Sequence, residues 1–181
     1  PNNSSGIYQE LSNEYSAIET PTWSLLLAES CRSVGHKVSI LDTLAENLSD
    51  NQTENRIKKL NPRIICFVVY GQNVNSGTTN MSGAIRLSSY LKNKNINAPI
   101  IFVGSHVQAL PSQTLEKEKS IDIVCLNEGV YSIRNILKIK DFTFENLKNV
   151  KGIYFRDKNK IIKNSPEIVV PNEKMDKDLP G

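Results

Sequence analysis

No stretch of the sequence stays apolar for the roughly 20 residues that a membrane-spanning helix needs, and the opening Pro1-Asn2-Asn3-Ser4-Ser5-Gly6 has no basic segment leading into an apolar one. No membrane partner is expected, and the expected compartment is the cytoplasm. A dominant charge is also lacking: 22 basic residues against 19 acidic ones leave a net charge of +3, too little to steer the chain to nucleic acid. Cysteine is scarce, and Cys31, Cys66 and Cys125 are odd in number, far apart in sequence and set in apolar pattern. That excludes a disulfide framework and a CxxC metal knuckle, and predicts buried free thiols. The only two histidines, His36 and His106, stand in no H-x-x-x-H or H-x-E arrangement, so a catalytic zinc has too few ligands. The glycines form neither G-x-G-x-x-G nor a Walker phosphate loop, and no serine lies in G-x-S-x-G. Dinucleotide fingerprints, phosphate loops and nucleophile elbows are therefore absent.

What the sequence does contain is 39% apolar residues in 181, enough for the core of one domain, without internal repeats or low-complexity tracts. Four runs read as buried strands that stop abruptly at polar turns. Lys37 to Leu41 ends at Asp42, Ile64 to Val69 at Tyr70-Gly71-Gln72-Asn73, Ile100 to Val103 at Gly104-Ser105-His106, and Ile121 to Leu126 at Asn127-Glu128-Gly129. Apolar runs without polar alternation suit parallel strands covered on both faces, and such sheets present their ligands in the loops after the strands.

Helical patterns alternate with these strands. Trp23, Leu26, Leu27, Cys31 and Val34 recur at helical spacing until Gly35 stops them, and a mostly polar helix over Asp50 to Leu60 ends at Asn61-Pro62. A polar loop is expected over Gly71 to Thr79, then a helix with Met81, Ala84, Ile85, Ser88 and Leu91 on one face. Pro111 to Lys119 reads as a short helix, and Val130, Ile133, Ile136 and Leu137 as a helix packed on the sheet. Val150 to Phe155 and Lys160 to Lys163 flank Arg156-Asp157-Lys158-Asn159 as a β-hairpin. From Asn164 on the chain reads as an extended linker, in which Ile168, Val169 and Val170 offer an edge strand. The expected fold is α/β: a doubly wound, Rossmann-like or flavodoxin-like parallel sheet in the order 2-1-3-4-5 with a C-terminal hairpin. Residues 1–149 would form the sheet domain, 150–164 the hairpin appendage and 165–181 a linker.

His36 falls at the end of the sheet opposite the ligand loops and reads as structural. His106 lies on the ligand edge, where its ring could hydrogen-bond or stack on a bound group. Glu128 suits either hydrogen bonding to ligand hydroxyls or capping of the following helix, and Trp23 either ligand stacking or core packing.

These loops resemble the cobalamin-binding domain that precedes the catalytic barrel in cobalamin-dependent radical S-adenosylmethionine enzymes. Tyr8-Gln9-Glu10-Leu11 resembles that family's Tyr-Gly-x-Leu segment, Glu19-Thr20-Pro21-Thr22-Trp23 its Pro-rich lead into the first helix, and Val34-Gly35-His36-Lys37-Val38 its Gly-His-x-Val segment. Gly104-Ser105-His106 through Pro111 is similar to its Gly-Gly-Pro-His loop with Ser105 at the second glycine, and Asn127-Glu128-Gly129-Val130 to its Gly-Glu-Gly-Glu loop with both outer residues changed. Gly152 to Asp157 resembles its Gly-Ile-x-Tyr-Arg hairpin, and Asp178-Leu179-Pro180-Gly181 the linker before the barrel.

The resemblance implies cobalamin held by Tyr8 and Leu11, with Tyr70, Gln72, Asn73 and Ser76 facing the corrin's lower side. It places Gly104, Ser105, His106, Leu126, Asn127, Glu128 and Gly129 around the nucleotide tail. The Asp-x-His-x-x-Gly motif of the other cobalamin class is absent, which implies cobalt without a lower histidine from that motif. The Cys-x-x-x-Cys-x-x-Cys of the radical enzymes is absent too, so the 4Fe–4S cluster and S-adenosylmethionine would belong to a C-terminal methyltransferase-like barrel of the same polypeptide, outside this sequence. No catalysis is expected of this chain alone. The alternative is a cofactor-free Rossmann-like docking domain. Gly6 to Leu11 is too polar for an interior strand, so the sequence is expected to lack the fold's first strand and to leave 37–41 and 64–69 flanking a gap.

Overall fold

The computed structural model describes residues 20–71 and 74–180, with the backbone alone for 74–76. In chain order it contains α1 (Thr22–Arg32), α2 (Asp50–Leu60), β1 (Ile65–Val68), α3 (Val74–Asn93), β2 (Ile100–Val103), α4 (Ser105–Ala109) and α5 (Pro111–Lys117). There follow β3 (Ile123–Cys125), α6 (Val130–Lys138), α7 (Phe144–Leu147), β4 (Ile153–Asp157), β5 (Lys160–Lys163), a 3₁₀ turn and α8 (Met175–Asp178).

β1, β2 and β3 run parallel, Ile65 opposite Ile100 and Ile101 opposite Ile123. All four residues of β2 are buried, as a strand covered on both faces requires, while β1 is only partly covered. β4 pairs antiparallel with β3 and turns back into β5, so the expected hairpin extends the same sheet in the order β1-β2-β3-β4-β5. The fold is α/β, and its sheet is mixed rather than parallel throughout. The hairpin turn is tighter than expected, because Arg156 and Asp157 pair with Ile161 and Lys160 and leave Lys158, at φ +53°, to turn the chain with Asn159.

The strand expected over 37–41 does not form. Lys37 and Ser39 are exposed, Val38, Ile40 and Leu41 half-buried, and no neighbouring backbone among the described residues gives this segment a ladder. The Val38 carbonyl instead accepts from the Arg32 guanidinium at 2.9 Å. Asp42 folds back on its own loop, its carboxylate accepting from the N–H groups of Leu44 and Ala45 at 3.1 Å each.

Two helical layers cover the sheet. Leu27, Cys31, Val130, Ile133 and Ile136 of α1 and α6 pack on Ile101, Val103, Ile123, Cys125, Ile153 and Phe155. On the other face Ile57, Met81, Ala84, Leu91, Val107 and Leu115 pack on Phe67, Ile100, Phe102 and Val124. Strand residues thus alternate between the two cores, which is the period-two geometry of a strand. Gly35 ends α1 at φ +90°, and the His36 N–H closes onto Cys31 O at 3.2 Å, a structural part for that histidine. The polar α2 starts at a Ser49–Gln52 capping box and packs through Glu54, whose carboxylate accepts from Tyr90 Oη at 2.9 Å and Lys58 Nζ at 2.6 Å.

Beyond β5 the chain returns to the α1–α6 layer, where Val170 and Leu179 are buried in the core. Ile168 and Val169 are exposed and form no strand. Arg134, itself buried, pairs with Asp178 Oδ1 at 2.8 Å and also donates to the Asp178 and Ser30 carbonyls. Tyr131 Oη donates to Asp178 Oδ2 at 2.7 Å. The segment expected as an extended linker packs on the domain as far as Leu179.

Candidate functional site

The loops after β1, β2 and β3 meet along one edge of the sheet. At the end of β2, Gly104 holds φ +154°, and a Cβ there would lie 2.1 Å from Val69 O, so the two strand ends touch backbone to backbone. Ser105 comes next, with its Oγ turned inward against Gly77 of α3, where it is buried and has no hydrogen-bond partner among the described residues. His106 Nδ1 lies 3.2 Å from Thr78 Oγ1, which ties the β2 loop to the start of α3.

At the end of β1, Tyr70 stacks on Trp23, ring centroids 4.9 Å apart and planes at 24°. Its hydroxyl donates to Asn127 O at 3.3 Å, reaching across to the β3 loop, while Asn80 Nδ2 donates to Tyr70 O at 3.3 Å. Burial pushes the Tyr70 hydroxyl up to about 12, and the negative charge of Glu128 pushes the same way. The phenol is therefore a neutral donor at physiological pH.

At the end of β3, the Leu126 N–H donates to Gly152 O at 2.8 Å, and Asn127 sits at φ +52° with its Nδ2 donating to Glu167 O at 2.7 Å. Gly129 holds φ +79°, with a Cβ there meeting Val103 Cγ2 at 2.6 Å. Glu128 is half-exposed, and no side chain caps α6, so the carboxylate is not used as a helix cap.

The edge thus assembles Tyr70, Gly104, Ser105, His106, Leu126, Asn127, Glu128 and Gly129. Tyr8, Leu11, Gln72 and Asn73 lie outside the described residues, as does the side chain of Ser76, whose backbone is in the first turn of α3. Sequence pattern missed Gly77, Thr78 and Asn80 as site neighbours, because the polar start of α3 reads as a loop. Away from the edge, the three cysteines converge in one core as free thiols. Burial pushes Cys31 up to about 11, against the pull of Arg134, and Cys66 up to about 12, and burial together with the other two thiols raises Cys125 as well. Among the described residues no cluster of His, Cys, Asp and Glu could hold a metal ion.

Residues 12–137 match the sequence model of the B12-binding domain. The chain belongs to the B12-binding domain family. This B12-binding domain is 27% identical over 137 residues to an uncharacterized methyltransferase of Pyrococcus horikoshii, covering 76% of this chain and 28% of that protein. It is similar in fold to the apo form of the cobalamin-dependent S-adenosylmethionine radical enzyme OxsB, with a TM-score of 0.60 and 20% identity over 87% of this chain and 22% of the other. The chain thus spans less than a third of either protein.

The edge of this B12-binding domain fits a corrinoid in two respects. The inward turn of Ser105 keeps its side chain off the edge, so backbone remains approachable where the family motif has glycine. Asn127 holds the left-handed conformation that a glycine would adopt there, and asparagine is among the few other residues that tolerate it.

Proposed function

We propose that this domain holds cobalamin across the β1–β3 strand-end edge and presents it to a C-terminal radical S-adenosylmethionine barrel of the same polypeptide. The observation that carries the proposal is the convergence of the loops after β1, β2 and β3 on one edge, with the Ser105 side chain turned inward so that backbone stays approachable there. Tyr70, and with it Gln72, Asn73 and Ser76, would face the corrin's lower side, with Tyr8 and Leu11 contributing from the N-terminal segment. Gly104, Ser105, His106, Leu126, Asn127, Glu128 and Gly129 would surround the nucleotide tail. When bound, cobalamin supplies a cobalt centre able to carry a methyl group. The chain's own residues bind and orient it: Glu128 accepts from ligand hydroxyls, Tyr70 keeps the β1 and β3 loops in register through Asn127 O, and the stacked Trp23 excludes water beside them.

The 4Fe–4S cluster and S-adenosylmethionine would reside in the barrel, which makes the whole protein a methyltransferase-like enzyme and this chain its cofactor-holding part, with residues 165–181 leading toward the barrel. Three free thiols, Cys31 and Cys125 buried and Cys66 partly so, suit the reducing cytoplasm as its compartment. Incubating the purified chain with hydroxocobalamin and passing it through gel filtration tests the proposal. Co-elution of the red chromophore with the protein is expected, and its complete loss would overturn the reading.

A further inference from the structure

The C-terminal segment meets the ligand edge before it reaches the α1–α6 layer. The Gly152 N–H donates to Ser165 O at 2.7 Å, and the Gly152 carbonyl accepts from the Leu126 N–H at 2.8 Å and from Ser132 Oγ at 3.1 Å. Gly152 holds φ +72°, and a Cβ there would lie 2.6 Å from Glu167 Cβ and 3.3 Å from Glu167 N, so the glycine lets Glu167 settle against the turn before β4. Seated there, Glu167 presents its carbonyl to Asn127 Nδ2 at 2.7 Å. Its carboxylate accepts from Asn135 Nδ2 of α6 through Oε2 and from the Ile168 N–H through Oε1, both at 2.9 Å. With both carboxylate oxygens engaged, the direction of the Glu167 carbonyl is fixed.

Asn127 is the left-handed residue of the β3 loop, at φ +52°, and a non-glycine residue in that conformation persists only where its surroundings hold it. The bond from its side chain to Glu167 O is that hold. The carbonyl of Asn127 in turn accepts from Tyr70 Oη, and the Tyr70 ring stacks on Trp23. Contacts therefore run unbroken from Glu167 through the β3 loop to the β1 loop and α1. We propose that Glu167 is a positioning residue for the cofactor edge: pinned by Asn135, it keeps its carbonyl on Asn127 and thereby sets the β3 loop and the Tyr70–Trp23 stack in the shape that a corrinoid meets. The inference rests on the cobalamin reading above. Glu167 acts through Asn127 rather than on the ligand, and it ties the placement of the cofactor to the segment that leads toward the barrel.

The test uses the 181-residue chain and hydroxocobalamin, with affinity read from the corrin absorbance and fold from thermal melts. The shape of the edge is read before corrinoid is added, from the near-ultraviolet circular dichroism of the Trp23 indole. Glu167→Ala and Asn135→Ala are each expected to weaken binding about threefold to tenfold, the worth of one hydrogen bond, and to change the indole signal of the corrinoid-free protein. Glu167→Gln keeps the side-chain length and, with the Asn135 amide turned over, both bonds, so it is expected to match the wild type in affinity and signal. Alanine variants that melt lower but keep wild-type affinity and signal overturn the positioning role and leave the cobalamin reading standing. Glu167→Gln falling as far as Glu167→Ala also overturns it, because charge rather than bonding would then be what matters. Failure of the wild type to bind overturns the cobalamin reading and this inference together.

Discussion

A methyl group added at Gly104 would sit 2.1 Å from Val69 O, within backbone that cannot yield without parting β1 from β2. Gly104→Ala is therefore expected to destabilise the domain by about 2–4 kcal/mol, seen as a lower urea midpoint, and an unchanged midpoint would contradict the close approach. Asn127 gives the opposite expectation. Its φ of +52° suits glycine, so Asn127→Gly should cost within about 1 kcal/mol, chiefly the lost bond to Glu167 O, while Asn127→Val should cost about 1–2 kcal/mol more for the left-handed backbone. Equal midpoints for the two variants would sink that argument. Tyr70 belongs at this scale too. With its hydroxyl pushed up to about 12 by burial and by Glu128, its phenolate absorbance should emerge above the ordinary tyrosine range, together with that of Tyr131, which burial and its bond to Asp178 also push up to about 12.

Among the elements, the C-terminal clamp makes a pH-dependent claim. The bond from Tyr131 and the Arg134 guanidinium hold the Asp178 carboxyl below its ordinary value. A carboxyl depressed in the folded state adds stability that is fully present above its unfolded pKa and is lost as pH falls through the folded one. Amide exchange over 170–179 should accordingly accelerate below the usual carboxylate range while β2 stays protected. Arg134→Met leaves Asp178 as an unpaired, largely covered charge, and is expected to cost about 3 kcal/mol and release the same segment at neutral pH. Protection of 170–179 unchanged in that variant would show that Val170 and Leu179 alone hold it.

The clamp was not legible in the sequence, because an arginine and an aspartate 44 residues apart carry no periodic signal. The strands of the parallel half were legible, since burial on both faces imposes uninterrupted apolar runs such as Ile100 to Val103. Lys37 to Leu41 looked alike, yet a run becomes a strand only where neighbouring backbone supplies hydrogen bonds, and none does so among the described residues. The start of α3 was hidden for a related reason: helix turns that face the ligand edge have no core to pattern against. The strand-end residues were found through topology, whereas the inward turn of Ser105 follows from its contact with Gly77, 28 residues away.

For the whole molecule, a ligand that binds only the folded state stabilises it by RT ln(1 + [L]/Kd), about 2.7 kcal/mol at a hundred times Kd. At about 2–4 °C for each kcal/mol in a domain of this size, saturating hydroxocobalamin should raise the melting temperature by roughly 5–10 °C. A melt unmoved by excess corrinoid would contradict binding to the native fold. The sole tryptophan of the chain, Trp23, is the residue stacked on Tyr70 beside that edge. Its position gives the domain a built-in optical gauge: indole emission originates at one known place, next to the loops, and a corrin absorbs where indole emits. Arrival of the chromophore would darken the indole emission in proportion to occupancy, with no label attached and no second indole to subtract.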